Sequence, residues 1–129
     1  MTHSVLVVDD EPMARTLLRL MLVRAGFEVL EASDGPEALI KVKEQLPDIM
    51  ILDVMMPGLD GFAVCEALRK EEATSTLPII MLSAKTDSVS VRRGLRAGAT
   101  QYLTKPISQE ELTQSVLNTL EGVENEKNP

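Results

Sequence analysis

The stretch VLVVDDEP, residues 5–12, decides the fold because four apolar residues run directly into three acids. A short, continuous apolar run is typical of a strand covered on both faces, as in a parallel sheet. Adjacent aspartates at the end of such a strand repel each other. The acids therefore either cap a following helix or hold a positively charged ligand, and this stretch alone leaves both interpretations open.

The remainder of the chain repeats this pattern of short apolar runs separated by segments of helical period. The predicted strands are 5–9, 27–31, 48–53, 78–82 and 101–103, and the predicted helices are 11–25, 35–46, 60–71, 87–97 and 108–121. The run FEVLE alternates in polarity, which indicates an edge strand. Repeated βα units predict one parallel sheet with helices on both faces.

Length and composition indicate a single domain. The chain has 129 residues, of which 44% are hydrophobic, enough for one buried core. We expect the domain to span residues 1–123 and the segment ENEKNP, residues 124–129, to be a disordered tail or the start of a linker. The formal net charge of −7 argues against direct binding of nucleic acid or of anionic membrane surfaces.

The sequence also predicts a cytoplasmic location. No apolar run approaches the roughly 20 residues that a membrane-spanning helix needs. The first residues, MTHS, lack the apolar core of a signal peptide. The single cysteine, Cys65, lies in a helical pattern, where we expect it to be buried, and it fits a reducing compartment.

Polar residues follow the ends of four predicted strands. Asp9 and Asp10 follow the first strand, Asp53 closes the third, Ser83 follows the fourth, and Lys105 lies just past the fifth. Parallel strands present their carboxyl ends at one edge of the sheet, where sites in open α/β folds lie. If these strands are neighbours, all five side chains crowd one crevice.

Three carboxylates in one crevice favour a hard cation. They would raise one another's pKa, whereas Mg²⁺ prefers oxygen ligands, usually one or two carboxylates together with water and phosphate oxygens. Zinc is disfavoured because the only histidine, His3, precedes the first strand, where we expect it to be solvated. The sequence therefore predicts a magnesium site.

Phosphoryl transfer suits these residue types, because it needs charge neutralisation and alignment more than covalent machinery. Asp9 and Asp10 would hold Mg²⁺, and Asp53 would attack phosphorus as a carboxylate nucleophile. Lys105 would pair with the phosphoryl oxygens, and Ser83 would donate a hydrogen bond to them. Taken singly, the acids of DDE have a structural interpretation as helix caps, and Lys105 as a surface residue at a turn.

Four motifs together resemble the receiver domain of bacterial two-component response regulators, of the chemotaxis-regulator type. They are VLVVDDEP, DIMILDVMMPGLDGF, PIIMLSA and GATQYLTKP, and the resemblance runs from about Ser4 to Gly122. It implies a flavodoxin-like (βα)5 three-layer sandwich, whose five-stranded parallel sheet has the order 2-1-3-4-5. It also implies a phosphorylation-dependent signalling switch.

The resemblance assigns a role to each site residue. Asp53 is the phosphoacceptor, which takes its phosphoryl group from the phosphohistidine of a sensor histidine kinase or a phosphotransfer protein. Asp10 binds Mg²⁺ (or Mn²⁺) directly, Asp9 acts largely through water, and the backbone carbonyl of Met55 completes the coordination together with Asp53. Lys105 matches the family's lysine, and the peptide bond between Lys105 and Pro106 is implied to be cis.

The resemblance also implies how the switch works. Ser83 turns toward the phosphoryl group, Tyr102 swings inward, and the face made by the fourth helix, fifth strand and fifth helix is reshaped for a downstream protein effector. Many DNA-binding members carry paired acids before this tyrosine, where this chain has Thr100 and Gln101. That difference argues against their style of dimer, so we expect a monomer or a weak homodimer.

The resemblance further implies that two more positions tune the lifetime of the phosphorylated state. Met55 lies two residues after Asp53, and Lys85 lies two after Ser83. In the family these positions flank the water that hydrolyses the acyl phosphate. Neither side chain can hold a water and accept its proton, so we expect slow autodephosphorylation and no turnover of an external metabolite; on this view the protein is not an enzyme.

Alternatives remain for function and for one surface. An aspartate-nucleophile phosphohydrolase would need a D-x-D spacing after the first strand, and a flavin carrier would need an uncharged phosphate loop there. A non-phosphorylated receiver-like scaffold would not need every site residue. Three arginines make the fourth helix basic, either as a solvated face or as a docking patch for a partner: Arg92, Arg93 and Arg96.

Overall fold

The computed structural model describes residues 2–127, with side chains described through residue 124. The strands are β1 (Ser4–Val8), β2 (Glu28–Ala32), β3 (Ile49–Asp53), β4 (Ile79–Ser83) and β5 (Gln101–Thr104). The helices are α1 (Pro12–Arg24), α2 (Gly35–Glu44), α3 (Gly61–Lys70), α4 (Ser88–Ala97) and α5 (Gln109–Lys127). A short 3₁₀ helix covers Glu72–Thr74.

The strands form one parallel sheet in the order β2-β1-β3-β4-β5. This order confirms the predicted fold. The strand predicted from its alternating pattern to lie at an edge, β2, does so. Strands β1, β3 and β4, which read as continuous apolar runs, lie inside the sheet, and their side chains are almost all buried.

Two apolar cores sandwich the sheet. On one face, alternate strand residues such as Val7 and Ile51 pack with Leu18 and Leu22 of α1 and with residues of α5. On the other face, the remaining strand residues pack with α2 and α3, and Ala97 of α4 packs against the same cluster. Cys65 is buried in this second core, as expected.

Capping residues mark the ends of the helices. Glu11 is the N-cap of α1, and its side chain accepts a hydrogen bond from the backbone of Ala14 at 2.7 Å. Pro12 occupies the first helical turn, where its missing N–H costs nothing. At the C-terminal end of α4, Gly98 adopts φ 111°, a left-handed conformation that favours glycine as a helix stop.

The C-terminal helix differs from its prediction. We expected a disordered tail or a linker from residue 124, yet α5 continues through Lys127. Residues 124–127 include glutamate and lysine, which are good helix formers, and contain neither glycine nor proline. Residues 128–129 lie outside the described part of the chain, and the domain boundary at residue 123 stays a prediction.

The N-terminal histidine is also less solvated than expected. The Nδ1 atom of His3 lies 3.6 Å from a carboxylate oxygen of Asp48, and its Nε2 atom lies 3.8 Å from one of Glu124. These contacts join the residue before β1 to the start of β3, through Asp48, and to α5, through Glu124. Within residues 2–127, no helix has both the length and the hydropathy that crossing a bilayer requires.

Candidate functional site

Three carboxylates converge at the carboxyl edge of the sheet. Asp9 follows β1, Asp10 comes next in the chain, and Asp53 is the last residue of β3. One carboxylate oxygen from each lies within 4.8 Å of the others. The predicted clustering of these acids is confirmed, and it follows from β1 and β3 being hydrogen-bonded neighbours in the sheet.

The three acids of the DDE stretch, Asp9, Asp10 and Glu11, have different environments and contacts. Asp9 is buried, and its Oδ1 atom accepts a hydrogen bond from the amide of Glu11 at 3.0 Å. Glu11 points away to cap α1. Asp10 is partly exposed, and among the described residues its side chain makes no hydrogen bond or ion pair. The helix-cap interpretation therefore holds for Glu11, and the interpretation of Asp9 and Asp10 as holding a positively charged ligand stays a prediction.

Lys105 is the cation of the site. It follows β5 directly, and its amide donates a hydrogen bond to the carbonyl of Ser83 at 2.8 Å. Its Nζ atom lies 2.9 Å from Oδ2 of Asp9 and 3.7 Å from Oδ2 of Asp53. The bond from Lys105 to Pro106 is cis, the geometry that the resemblance implies.

The electrostatics of Lys105 favour its charged form. Burial acts to lower its pKa, but the hydrogen bond to Asp9 and the charge of Asp53 outweigh burial, so that the pKa is raised. Lys105 is therefore a permanent ammonium group at neutral pH.

Asp53 sits in a less favourable environment. Asp53 is 8% exposed, and this burial raises its pKa from 3.8 to about 6. The charge of Lys105 opposes the rise in pKa, and the charges of Asp9 and Asp10 add to it. The amide of Met55 makes one long contact to its Oδ1 atom, at 3.4 Å. Burial is thus the main cause of the raised pKa of Asp53, and Lys105 offsets only part of it.

This donor set fits a hard divalent cation. Every candidate ligand atom in the cluster is a carboxylate oxygen, and three carboxylates lie beside the single ammonium group of Lys105. Among the described residues, neither the histidine nor the cysteine lies in the cluster, which disfavours zinc. The side chain of Met55, two residues after Asp53, is exposed.

Ser83 and Tyr102 contact the same loop residue. Ser83 ends β4 and is buried, and its hydroxyl oxygen accepts a hydrogen bond from the amide of Lys85 at 3.1 Å. The hydroxyl of Tyr102 donates to the carbonyl of Lys85 at 2.8 Å. The backbone of Lys85 therefore links a buried hydroxyl at the sheet edge to a half-buried aromatic ring on β5.

Sequence reasoning missed three residues that shape the site. A Cβ atom on Gly61 would lie 2.4 Å from the carbonyl oxygen of Asp53, and one on Gly94 would lie 2.7 Å from Cδ2 of Tyr102. Arg15 donates to the carbonyl of Asp9 at 2.8 Å. Gly94, which lies inside α4, was a usable signal of close packing. A glycine inside a helix costs roughly 1 kcal/mol and therefore needs a packing reason.

Fold and site together define a phosphorylation-dependent signalling switch of the receiver class. The family model described as the response regulator receiver domain matches residues 5–117, and the chain belongs to this family. Membership of this family favours the signalling switch over the two alternative functions, the phosphohydrolase and the non-phosphorylated scaffold. Among the described residues, no contact in the site supports either alternative.

Individual relatives are similar over most of this chain. It is 46% identical over 116 residues to the alkaline phosphatase synthesis transcriptional regulatory protein PhoP of Bacillus subtilis, covering 90% of this chain and 48% of PhoP. It is 43% identical over 126 residues to the DNA-binding response regulator MtrA of Mycolicibacterium smegmatis, covering 98% of this chain and 54% of MtrA. The chain thus spans about half the length of these curated relatives.

A solved structure shares the architecture. The receiver domain of the sensor histidine kinase PA1611 from Pseudomonas aeruginosa PAO1 superposes with a TM-score of 0.87 at 29% identity, covering 93% of this chain and 98% of that one. That receiver has a magnesium ion coordinated in its active site cleft.

Proposed function

We propose that Asp53 accepts a phosphoryl group from a phosphohistidine of a sensor histidine kinase or a phosphotransfer protein. The observation that carries the proposal is the convergence of Asp9, Asp10 and Asp53 beside the ammonium group of Lys105. Asp53 is the member of the cluster that ends a strand, and its pKa of about 6 leaves it ionised, hence nucleophilic, at neutral pH.

Asp10, Asp53 and the backbone carbonyl of Met55 would hold Mg²⁺ (or Mn²⁺) directly, with Asp9 contributing through water. Support for this division comes from hydrogen bonding, since both carboxylate oxygens of Asp9 already have partners, from Glu11 and Lys105. Asp10, which has none among the described residues, is free to bind the ion. When bound, the ion supplies positive charge that offsets the phosphoryl oxygens and the clustered acids.

The protein's residues align and stabilise the transfer. A carboxylate oxygen of Asp53 forms the new bond to phosphorus, while the bond from phosphorus to the imidazole nitrogen breaks and its electron pair returns to the ring. Lys105, already 3.7 Å from Asp53, pairs with a phosphoryl oxygen. The product is an acyl phosphate on Asp53.

The phosphoryl group then changes the contacts of Ser83 and Tyr102. The hydroxyl of Ser83 leaves the amide of Lys85 and donates to a phosphoryl oxygen. The Lys85 loop moves with it, so Tyr102 loses its present partner and turns inward. Two packings of the α4–β5–α5 face exchange populations in this way, and a downstream protein effector reads the difference.

The contacts of Thr100 and Gln101 bear on the predicted oligomeric state. Thr100 and Gln101, which stand where dimer-forming acids occur in the family, are engaged internally, by the amide of Ile79 and the hydroxyl of Thr119. This supports a monomer or a weak homodimer.

The similar protein MtrA is named as a DNA-binding response regulator, which weakens the expectation that this protein does not contact nucleic acid. We therefore keep that expectation only for the residues that the structure describes. A cytoplasmic location stays a prediction.

Intact-protein mass spectrometry after treatment with acetyl phosphate and Mg²⁺ tests the phosphoacceptor. We expect wild type to gain the mass of one phosphoryl group and Asp53→Asn to gain none. The matched control is Asp48→Asn, which changes an aspartate at the opposite end of the same strand and keeps wild-type labelling. A gain that persists in Asp53→Asn would overturn the assignment.

A further inference from the structure

A groove between α3 and α4 carries three arginines on one helical stripe. It has a volume of about 600 Å³ and is lined by Glu66, Val89, Arg92, Arg93, Arg96 and Ala97. The residues contributed by α4 lie at positions i, i+3, i+4, i+7 and i+8 counted from Val89, so they share one face of that helix. This face is distinct from the α4–β5–α5 face, because it looks toward α3.

The arginines of the groove are exposed and uncompensated. Within residues 2–124, none of Arg92, Arg93 and Arg96 forms an ion pair, although the chain as a whole carries a formal charge of −7. The one acid in the groove, Glu66, is not within ion-pair distance of them. In so acidic a chain, this concentration of unpaired positive charge calls for an anionic partner.

One arginine is already fixed in place. The guanidinium carbon of Arg93 lies 4.4 Å from the centroid of the Phe62 ring, a cation–π contact with a buried aromatic side chain. A cation held in this way loses less conformational freedom when it binds a ligand. Val89 beside it is 67% exposed and offers an apolar surface in the same groove.

We propose that this groove binds an acidic, partly apolar peptide segment of a partner protein. Its carboxylates would form forked pairs with Arg92 and Arg96, the geometry that guanidinium groups favour, and an apolar side chain would pack on Val89. A short peptide fits better than nucleic acid, because the long-range repulsion from this acidic chain grows with the charge of the ligand. The proposal goes beyond phosphorylation and does not depend on Asp53.

The groove also continues toward the phosphoacceptor. A second depression of about 500 Å³ shares Val89 and Arg93 with the first and is lined at its other end by Met55 and Lys85. A peptide long enough to fill both would therefore lie beside Met55 and Lys85, the positions predicted to tune loss of the phosphoryl group.

Titration of ¹⁵N-labelled protein tests the proposal. The probe is a synthetic amphipathic peptide with glutamates and leucines at helical spacing, added to the unphosphorylated protein while amide chemical shifts are followed. We expect saturable shifts that cluster on the groove residues of α3 and α4. We expect Arg92→Gln/Arg96→Gln to weaken the affinity about tenfold, since two partly exposed pairs contribute that much together.

The control variant Arg24→Gln/Lys43→Gln removes two positive charges elsewhere and should bind within about twofold of wild type. Asp53→Asn should bind as wild type does, which separates this proposal from the assignment of the phosphoacceptor. The proposal is overturned if no saturable shifts occur, if they map outside the groove, or if both double variants lose affinity equally. Tighter binding of a single-stranded DNA oligonucleotide in the groove would also overturn it.

Discussion

The two ends of strand β3 each carry an aspartate, in opposite electrostatic situations. Asp48 precedes the strand, and its Oδ2 atom accepts hydrogen bonds from the amide of Ser4 at 2.7 Å and from the Ser4 hydroxyl at 3.4 Å, with His3 close by. Asp53 ends the strand among two further acids and one lysine, and its pKa is raised to about 6.

The difference shows where the fold gives up stability. At the amino edge, neighbouring donors satisfy the carboxylate, which ties β1 to the start of β3. At the carboxyl edge, the parallel arrangement brings charges together that the unliganded protein cannot balance. Local rules broken without local compensation are typical of functional sites, so the contrast itself supports placing the chemistry at the carboxyl edge.

Removing Lys105 should have the largest effect, because it is the one cation that the described residues place among the three acids. In Lys105→Met, buried Asp9 keeps the amide of Glu11 but loses its ion-pair partner, and we expect a loss of about 3 kcal/mol in the free energy of unfolding at neutral pH without divalent ions. Urea denaturation measures it. Lys43→Met, which removes an exposed lysine, is the control and should cost far less; equal losses would mean that the site is not electrostatically strained.

Neutralising Asp53 should change stability in the opposite direction. Because its folded pKa of about 6 lies above 3.8, protonated Asp53 favours the folded state, an advantage present below pH 3.8 and lost as the pH rises through about 6. Asp53→Asn should therefore match wild type near pH 4 and exceed it by about 2–3 kcal/mol above pH 7 without Mg²⁺.

Thermal and urea unfolding across this pH range, with and without Mg²⁺, measure the effect. Mg²⁺ should raise the stability of wild type and leave Asp53→Asn nearly unchanged, since a ligand that binds only the folded state stabilises it. A variant less stable than wild type at neutral pH would show that Asp53 is not under strain, and the contrast between the two strand ends would lose its physical basis.

The carboxyl edge was the predictable part of the molecule. Continuous apolar runs with acids at their ends, such as those ending at Asp9 and Asp53, suffice to place charges at one edge of a parallel sheet, because strand direction alone decides where they meet. The fold follows from the same alternation of runs and helical segments. Which acids of the DDE stretch join the cluster did not follow, because Asp10 and Glu11 are neighbouring carboxylates after β1, yet Asp10 joins the cluster and Glu11 caps α1.

Contacts between distant segments could not be predicted from local patterns. The close approach of Gly94 to Tyr102 and that of Gly61 to the backbone of Asp53 depend on how helices pack on the sheet. The position of His3 depends on α5 extending past residue 123, and the end of a helix without a glycine or proline stop is poorly marked in sequence.

A smaller effect is expected on the lifetime of the phosphorylated state. In Met55→Asn, an amide beside the acyl phosphate can position a water that the exposed thioether cannot, so phosphate loss should be about three- to tenfold faster. Decay of the phosphorylated mass over time measures it. Met55→Leu keeps an apolar side chain and should retain the wild-type lifetime; an unchanged lifetime in Met55→Asn would contradict the assigned position of this residue.

The smallest effect should come from the amino edge. Asp48→Asn keeps one side-chain oxygen for the amide of Ser4 but loses the charge that faces His3, so we expect a loss of about 0.5–1 kcal/mol. The sign opposes that of Asp53→Asn, although the same substitution is made on the same strand. Since the two sites lie at opposite ends of the sheet, the double variant should show additive changes. Because only Asp53 belongs to the metal cluster, added Mg²⁺ should stabilise Asp48→Asn as much as it stabilises wild type.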